Sequence, residues 1–429
     1  MRRVLAAAAA VLIVGVACTS SAVKSAADPA VAADVRRLAT EMERIHPDLF
    51  HSVSRAEFRG AVEDVVARLP ELDRDQLLVE LMRIVAMTGE RDGHMGLFPL
   101  VSHARPLHLA PIRVWSFPEG MFVLASPERP DLVGTQIVAI EGRPVDEVAA
   151  LVRPLVTRDN ESSLILRLPE FMITGEVLHG LGIAPDAAGV RFTVKRANGE
   201  RVDANLATLA GPAYWDLIED VWAPPAAPIV RTPLWLRNPN RTQWFATLDR
   251  GRAVYAVYSH ATEPTGMFAA SLLARARMPK VRRVIVDVRL NGGGDNTSYS
   301  PLIEALRNRA VNRRGRLVLV AGRVTFSAGG NFVAEVDAFT RARIVGEAAG
   351  GSPHNYGDSE LVELEALGWT VYVPPQYVEV LGRPDERVAI EPDVPVQIGA
   401  ADHFAGRDPV LARAIALRCA LRALGFQID

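Results

Sequence analysis

Lysine is nearly absent from this 429-residue chain. Of 48 basic residues only Lys24, Lys195 and Lys280 are lysines, and the rest are arginines. A mechanism that needs a lysine therefore has three candidates. Cysteine is scarcer still, with Cys18 near the start and Cys419 near the end. Two such cysteines exclude a disulfide framework and a cysteine-rich zinc site. A surplus of one charge is also missing. The 48 basic residues face 50 acidic ones for a net charge of -2, which argues against a nucleic-acid partner. No pair of histidines has the H-E-x-x-H or H-x-x-x-H spacing of a zinc enzyme, so no metal and no cofactor is expected. What is present suits a globular protein of two or three domains: 49% hydrophobic and 23% charged residues.

Arg2 and Arg3 precede an apolar run, Val4 to Ala17, too short for a membrane span of about 20 residues. This is the pattern of a secretory leader. The run ends in Val14-Gly15-Val16-Ala17-Cys18, which resembles a bacterial lipoprotein box with Cys18 as the lipidated residue, although Gly15 stands where leucine is usual. The competing expectation is cleavage after Ala22 or Ala27. Both put the mature protein in the cell envelope, periplasmic or otherwise extracytoplasmic, with a membrane contact through the N-terminal lipid if Cys18 is modified.

After the leader (1–18) and a tether (19–30), helical spacing of Val35, Leu38, Met42, Phe58, Val62, Val65, Leu77, Leu81 and Ile84 predicts a bundle of three or four helices within 31–105. The segment closes on the loop Thr88-Gly89-Glu90-Arg91-Asp92-Gly93-His94. Residues 106–160 change to strand spacing, and the strand, glycine turn and helix start around 132–145 resemble a short PDZ-like insert. Residues 161–240 read as a connector of helix, a hairpin about Asn198-Gly199, and a proline-rich stretch. From 241 to 429, strands alternate with helices, the pattern of an α/β core with a mainly parallel sheet. Chemistry in such sheets gathers at the C-terminal strand ends. Two loops leave those ends. One is Asn291-Gly292-Gly293-Gly294 and the other runs from Gly322 through Thr325-Phe326-Ser327-Ala328. A serine at a helix start, facing backbone N–H groups, suits acyl transfer. A dinucleotide site is disfavoured because Thr297 stands where the fingerprint needs a third glycine.

Four stretches resemble the S41 family of serine peptidases, which includes tail-specific and tricorn-type proteases. Asp287-Val288-Arg289-Leu290-Asn291-Gly292-Gly293-Gly294 is similar to its D-L-R-x-N-x-G-G signature. Thr325-Phe326-Ser327-Ala328 is similar to its nucleophile segment, Asp92-Gly93-His94 to its D-x-H loop, and Glu391-Pro392-Asp393-Val394 to its late strand. The resemblance implies a ClpP/crotonase-like α/β catalytic core preceded by a helical region. It also implies a serine endopeptidase acting on proteins or peptides. The tail-specific branch uses a lysine base about 25 residues after the serine, and no lysine follows Lys280. The resemblance therefore points to the histidine-using branch. Ser327 would be the nucleophile, His94 the base and Glu386 the acid, with Asp358 and Glu347 as reserves. Gly292, Gly293 and Ala328 would form the oxyanion hole, and His260 and His354 would line the substrate site. A neutral histidine base predicts activity rising between about pH 6 and 7.5. Two other readings remain: a catalytically silent peptide-binding scaffold, and an esterase using Ser327, Asp393 and His403.

Overall fold

The computed structural model describes residues 28–101, 103–218 and 232–417. The leader, Cys18, Lys24, nearly all of the tether, much of the proline-rich stretch and Cys419 lie outside the described residues. Among the described residues no helix is long and apolar enough to cross a membrane.

Three helices open the chain, Pro29–Ile45, Arg55–Arg68 and Arg74–Ala86. Their starts are written in the sequence. Asp28 caps the first, while Ser54 with Glu57 and Asp73 with Gln76 form capping boxes on the others. Each such cap satisfies N–H groups the first turn leaves free. The expected apolar positions Val35, Leu38, Met42, Phe58, Val62, Leu77 and Leu81 are all buried.

The β-rich part is larger than expected. Strands Arg113–Phe117, Gly120–Ala125 and Gln136–Ile140 continue directly into Gly189–Lys195 and Arg201–Ala207 in one antiparallel sheet. The hairpin assigned by sequence to the connector thus belongs to the same sheet as the 106–160 segment. Helices Val145–Val152 and Glu161–Met172 lie between its third and fourth strands.

The expected α/β core is present. Its sheet runs Val394–Pro395, Arg343–Gly346, Leu317–Ala321, Arg283–Asp287, Ala253–Tyr258, Gln243–Leu248. All neighbours are parallel except the last pair. A parallel sheet needs cover on both faces. Helices Gly266–Ala276, Ser300–Arg307 and Ala328–Phe339 supply one face through Leu272, Leu302 and Phe332. Helix Pro409–Ala416 supplies the other through Val410, Leu411 and Ala414.

One excursion from the core joins the two halves. The hairpin Glu360–Leu364 and Trp369–Val373 packs Val362, Leu364, Trp369 and Val371 into the core of the N-terminal helices. Asp34 accepts the backbone N–H groups of Ala366 and Leu367 at 2.8 and 3.1 Å. Gly96 pairs with Tyr372 through two backbone bonds of 3.0 and 2.9 Å.

Candidate active site

Ser327 sits where strand Leu317–Ala321 hands over to helix Ala328–Phe339, at φ 52° and ψ -129°. A side chain rarely adopts that backbone, and such strain costs of order 1–3 kcal/mol. Close packing holds it there. A Cβ on Gly293 would fall 2.6 Å from Cβ of Ser327, and one on Gly329 would fall 2.2 Å from the Asn291 carbonyl oxygen. Only glycine admits this approach of the two loops.

His94 comes from the other half of the molecule. Its loop is held on every side: Arg91 and Asp92 donate backbone bonds to Asp159 and Arg158, Tyr356 donates to Arg91, and Gly93 donates to Oδ1 of Asp159 at 2.7 Å. The result is a contact of 3.0 Å between Nε2 of His94 and Oγ of Ser327, 233 residues apart. Phe326 lies against the imidazole, ring centroids 4.7 Å apart. Burial, and after it the charge of Arg167, push the His94 pKa down to about 4. The ring is only partly buried and faces the cavity on one side. With Nε2 accepting from the serine hydroxyl, the ring's proton lies on Nδ1. That atom has no hydrogen bond of good geometry, although the Tyr356 carbonyl favours the charged ring.

The acid expected on Nδ1 is not joined to it. Glu386 is exposed, and the bond it makes is through its backbone carbonyl, from Arg91 at 2.7 Å. The segment carrying it loops past the site with its side chain in solvent. Asp358 is bonded to Gln376 and Glu347 is paired with Arg323 at 2.7 Å, so neither reserve replaces it. The oxyanion donors also need correction. The Gly292 N–H is taken by the Leu290 carbonyl at 3.0 Å and the Gly293 N–H by Oδ1 of Asn291 at 3.1 Å. Among the three, Ala328 keeps an N–H with no recorded partner. His260 lines the cavity, with a 3.3 Å contact to Ser259. His354 does not. It is 1% exposed and stacks edge-on against Tyr377, because its strand turns it inward. His403 is buried against Phe117 and Phe404, away from Ser327, which removes the esterase triad.

Sequence reasoning missed several buried charges. Asp92, 0% exposed, accepts from Nε2 of both His46 and His51 at 2.9 Å. Burial alone would raise its pKa, but the two imidazole donors hold it below the usual carboxylate value. The three ligand-type atoms lie within 4.8 Å of one another, a spacing a metal accepts. The Asp48 N–H, however, donates to Nδ1 of His46 at 3.1 Å, which places that ring's proton on Nε2, aimed at Asp92. The trio is thus complete as a hydrogen-bonded unit. Asp159 and Glu170 are pushed up to about 6 and about 7, in each case chiefly by burial. Arg167 lies among them. Its place on the apolar face of helix Glu161–Met172, three residues after Leu164 and four before Phe171, was the available signal.

A cavity of about 510 Å³ opens on Ser327 and His94. Its walls include Phe98, Leu100, Trp215, Phe326 and Tyr372, with the buried Arg167 and the half-buried Glu170 as ionisable groups. Apolar walls with few polar groups are usual for a ligand site.

No protein-family model matches the sequence, and no curated protein matches it. Solved structures do. Mature CPAF complexed with lactacystin superposes with a TM-score of 0.57 at 11% identity, covering 88% of this chain and 96% of that one. A serine-to-alanine mutant of CPAF gives 0.60 at 11% identity over 90% and 99%. The tricorn protease overlaps at 0.37, 16% identity, 90% of this chain and 36% of that one, too loosely to bear on the fold. The protein therefore has the α/β fold of the CPAF structures along most of its length. The expected fold class, a helical region followed by an α/β core, is the one found.

Proposed function

We propose that this protein is a serine peptidase of the S41 type, acting on proteins or peptides outside the cytoplasm. The 3.0 Å contact between His94 and Ser327, on a strained strand-to-helix turn, carries the reading. Ser327 attacks the scissile carbonyl while His94 removes its proton. Oγ bonds to the carbonyl carbon to give a tetrahedral oxyanion, whose collapse breaks the peptide C–N bond as the imidazolium protonates the departing amine. Water then attacks the acyl-enzyme, again deprotonated by His94, and frees the carboxylate product and Ser327. Ala328 offers an N–H toward the oxyanion, supported by the helix dipole behind it. The structural likeness to CPAF agrees with this assignment without extending it to substrates. The location rests on the leader pattern.

Two observations favour the second reading, a silent scaffold. The Gly292 and Gly293 N–H groups are already engaged, and among the described residues no carboxylate bonds Nδ1 of His94. A fluorophosphonate probe separates the two. Labelling of the wild type, lost in Ser327→Ala and reduced by about 10³-fold or more in His94→Ala, supports the peptidase. Unlabelled wild type, beside a labelled control hydrolase, supports the scaffold.

A further inference from the structure

Arg167 is a cation without an ionic partner in the cavity beside the nucleophile. Its side chain is buried, the whole residue 7% exposed. Its recorded hydrogen bond is from one terminal nitrogen to the Thr157 carbonyl, at 3.1 Å. No carboxylate among the described residues forms an ion pair with it. The two acids nearest in charge are bonded elsewhere: Asp159 receives the N–H groups of Gly93 and Ser352, and Glu170 that of Leu100 at 3.1 Å. The guanidinium is held in place by aromatic faces, with its carbon 4.9 Å from the Phe98 ring centroid and 5.1 Å from that of Phe326. Phe326 in turn lies against His94. Arg167 and Ser327 share one cavity wall system.

A buried cation left unpaired is unfavourable, and a charge-assisted pair with an incoming anion relieves that. The planar fork of arginine presents parallel N–H donors that match a carboxylate. Apolar walls lower the local dielectric and strengthen the pairing. We infer that Arg167 selects substrates that bring a carboxylate into the cavity close to the scissile bond. This rests on Ser327 being the nucleophile of a peptidase. It adds that the preferred peptide is acidic there, supplied by an Asp or Glu side chain or by a free C-terminus. Glu170 and Asp159 set the limit of the effect, since either one ionised offsets part of the Arg167 charge.

Binding tests this without turnover. The Ser327→Ala protein is titrated calorimetrically with apolar hexapeptides, blocked at both ends, that carry either Glu or Gln at one position. A third set carries Gln with a free C-terminal carboxylate. The expected result is at least about tenfold tighter binding for one carboxylate-bearing set over the blocked Gln set, equal to ~1.4 kcal/mol. The set that gains identifies the carboxylate's source. Arg167→Gln should erase the difference, and Arg167→Lys should keep part of it, because lysine retains the charge but not the fork. Equal affinities for all sets, no binding of any, or selectivity that survives Arg167→Gln would each overturn the inference. If Arg167→Gln does not fold, the comparison of peptide sets on the Ser327→Ala protein still decides. Probe labelling of the wild type is read beside it. Labelling without carboxylate selectivity defeats this inference alone, and selectivity without labelling defeats the peptidase reading alone.

Discussion

In the proposed mechanism His94 acts as a base where burial and the Arg167 charge both oppose its protonation. The reacting form is the neutral ring, so the acid limb of the pH profile lies where that ring gains a proton. With its pKa pushed down to about 4, the limb should fall between about pH 3 and 5, with a plateau from pH 6 to 8. The rise between pH 6 and 7.5 expected from an ordinary histidine would then lie at lower pH, because a sequence names the side chain but not its solvation. Probe labelling rates against pH check this, and Arg167→Gln should move the limb upward. A limb near pH 6 that disappears in Asp159→Asn would belong to Asp159, whose carboxylate holds the Gly93 N–H. Glu170 gives a second test. Its pKa is raised in the fold, so its protonated form stabilises the protein at low pH and that contribution is lost as pH rises through about 7. Glu170→Gln resembles the protonated form and keeps an acceptor for Leu100. It should raise unfolding free energy at pH 8 by up to about 3 kcal/mol and change it little at pH 4.5, as read by urea denaturation.

At the scale of elements, the two glycine-bearing loops and helix Ala328–Phe339 act as one unit. Gly329→Ala would improve helix propensity by about 1 kcal/mol. It would also drive a methyl group into the Asn291 carbonyl, 2.2 Å away. The expected outcome is a folded protein whose probe labelling falls by about a hundredfold, measured beside a circular dichroism spectrum. The strands, helices and both loops of this unit were legible because period, glycine and parallel connection are local properties. The meeting of Ser327 and His94 was legible through short motifs. The acid was not. Glu386 was placed by counting back from Glu391, and a count fixes position along the chain but not the direction of an exposed side chain. Arg167, His46 and His51 escaped for the opposite reason. Their roles depend on partners 10 to 46 residues away, and nothing in their neighbourhoods records them. The same limit hid the membership of strands Gly189–Lys195 and Arg201–Ala207 in the larger sheet.

For the whole molecule, contacts between parts matter more than any one core. Arg323, in the loop that leads to Ser327, donates to the Ser116 carbonyl at 2.8 Å, pairs with Glu347 and lies 5.0 Å from the Trp115 ring centroid. It fastens the antiparallel sheet to the nucleophile loop. Arg323→Ala leaves Glu347 without that partner and should cost about 3 kcal/mol. It should also expose the 106–207 region to limited proteolysis before the α/β core unfolds, with fragments identified by mass spectrometry. A uniform loss of both parts together would show that the sheet and the core are one cooperative unit.

The 360–373 hairpin gives this arrangement a consequence in time. The loop bearing His94 is made early in synthesis, yet Gly96 is clamped by Tyr372 and the helices before it by Ala366 and Leu367. Those residues come after Ser327. A growing chain therefore carries His94 and then Ser327 before it holds the hairpin that braces the His94 loop. On the proposed mechanism, reactivity arrives last, when the hairpin has docked, and an unfinished chain is inert toward its surroundings and toward itself.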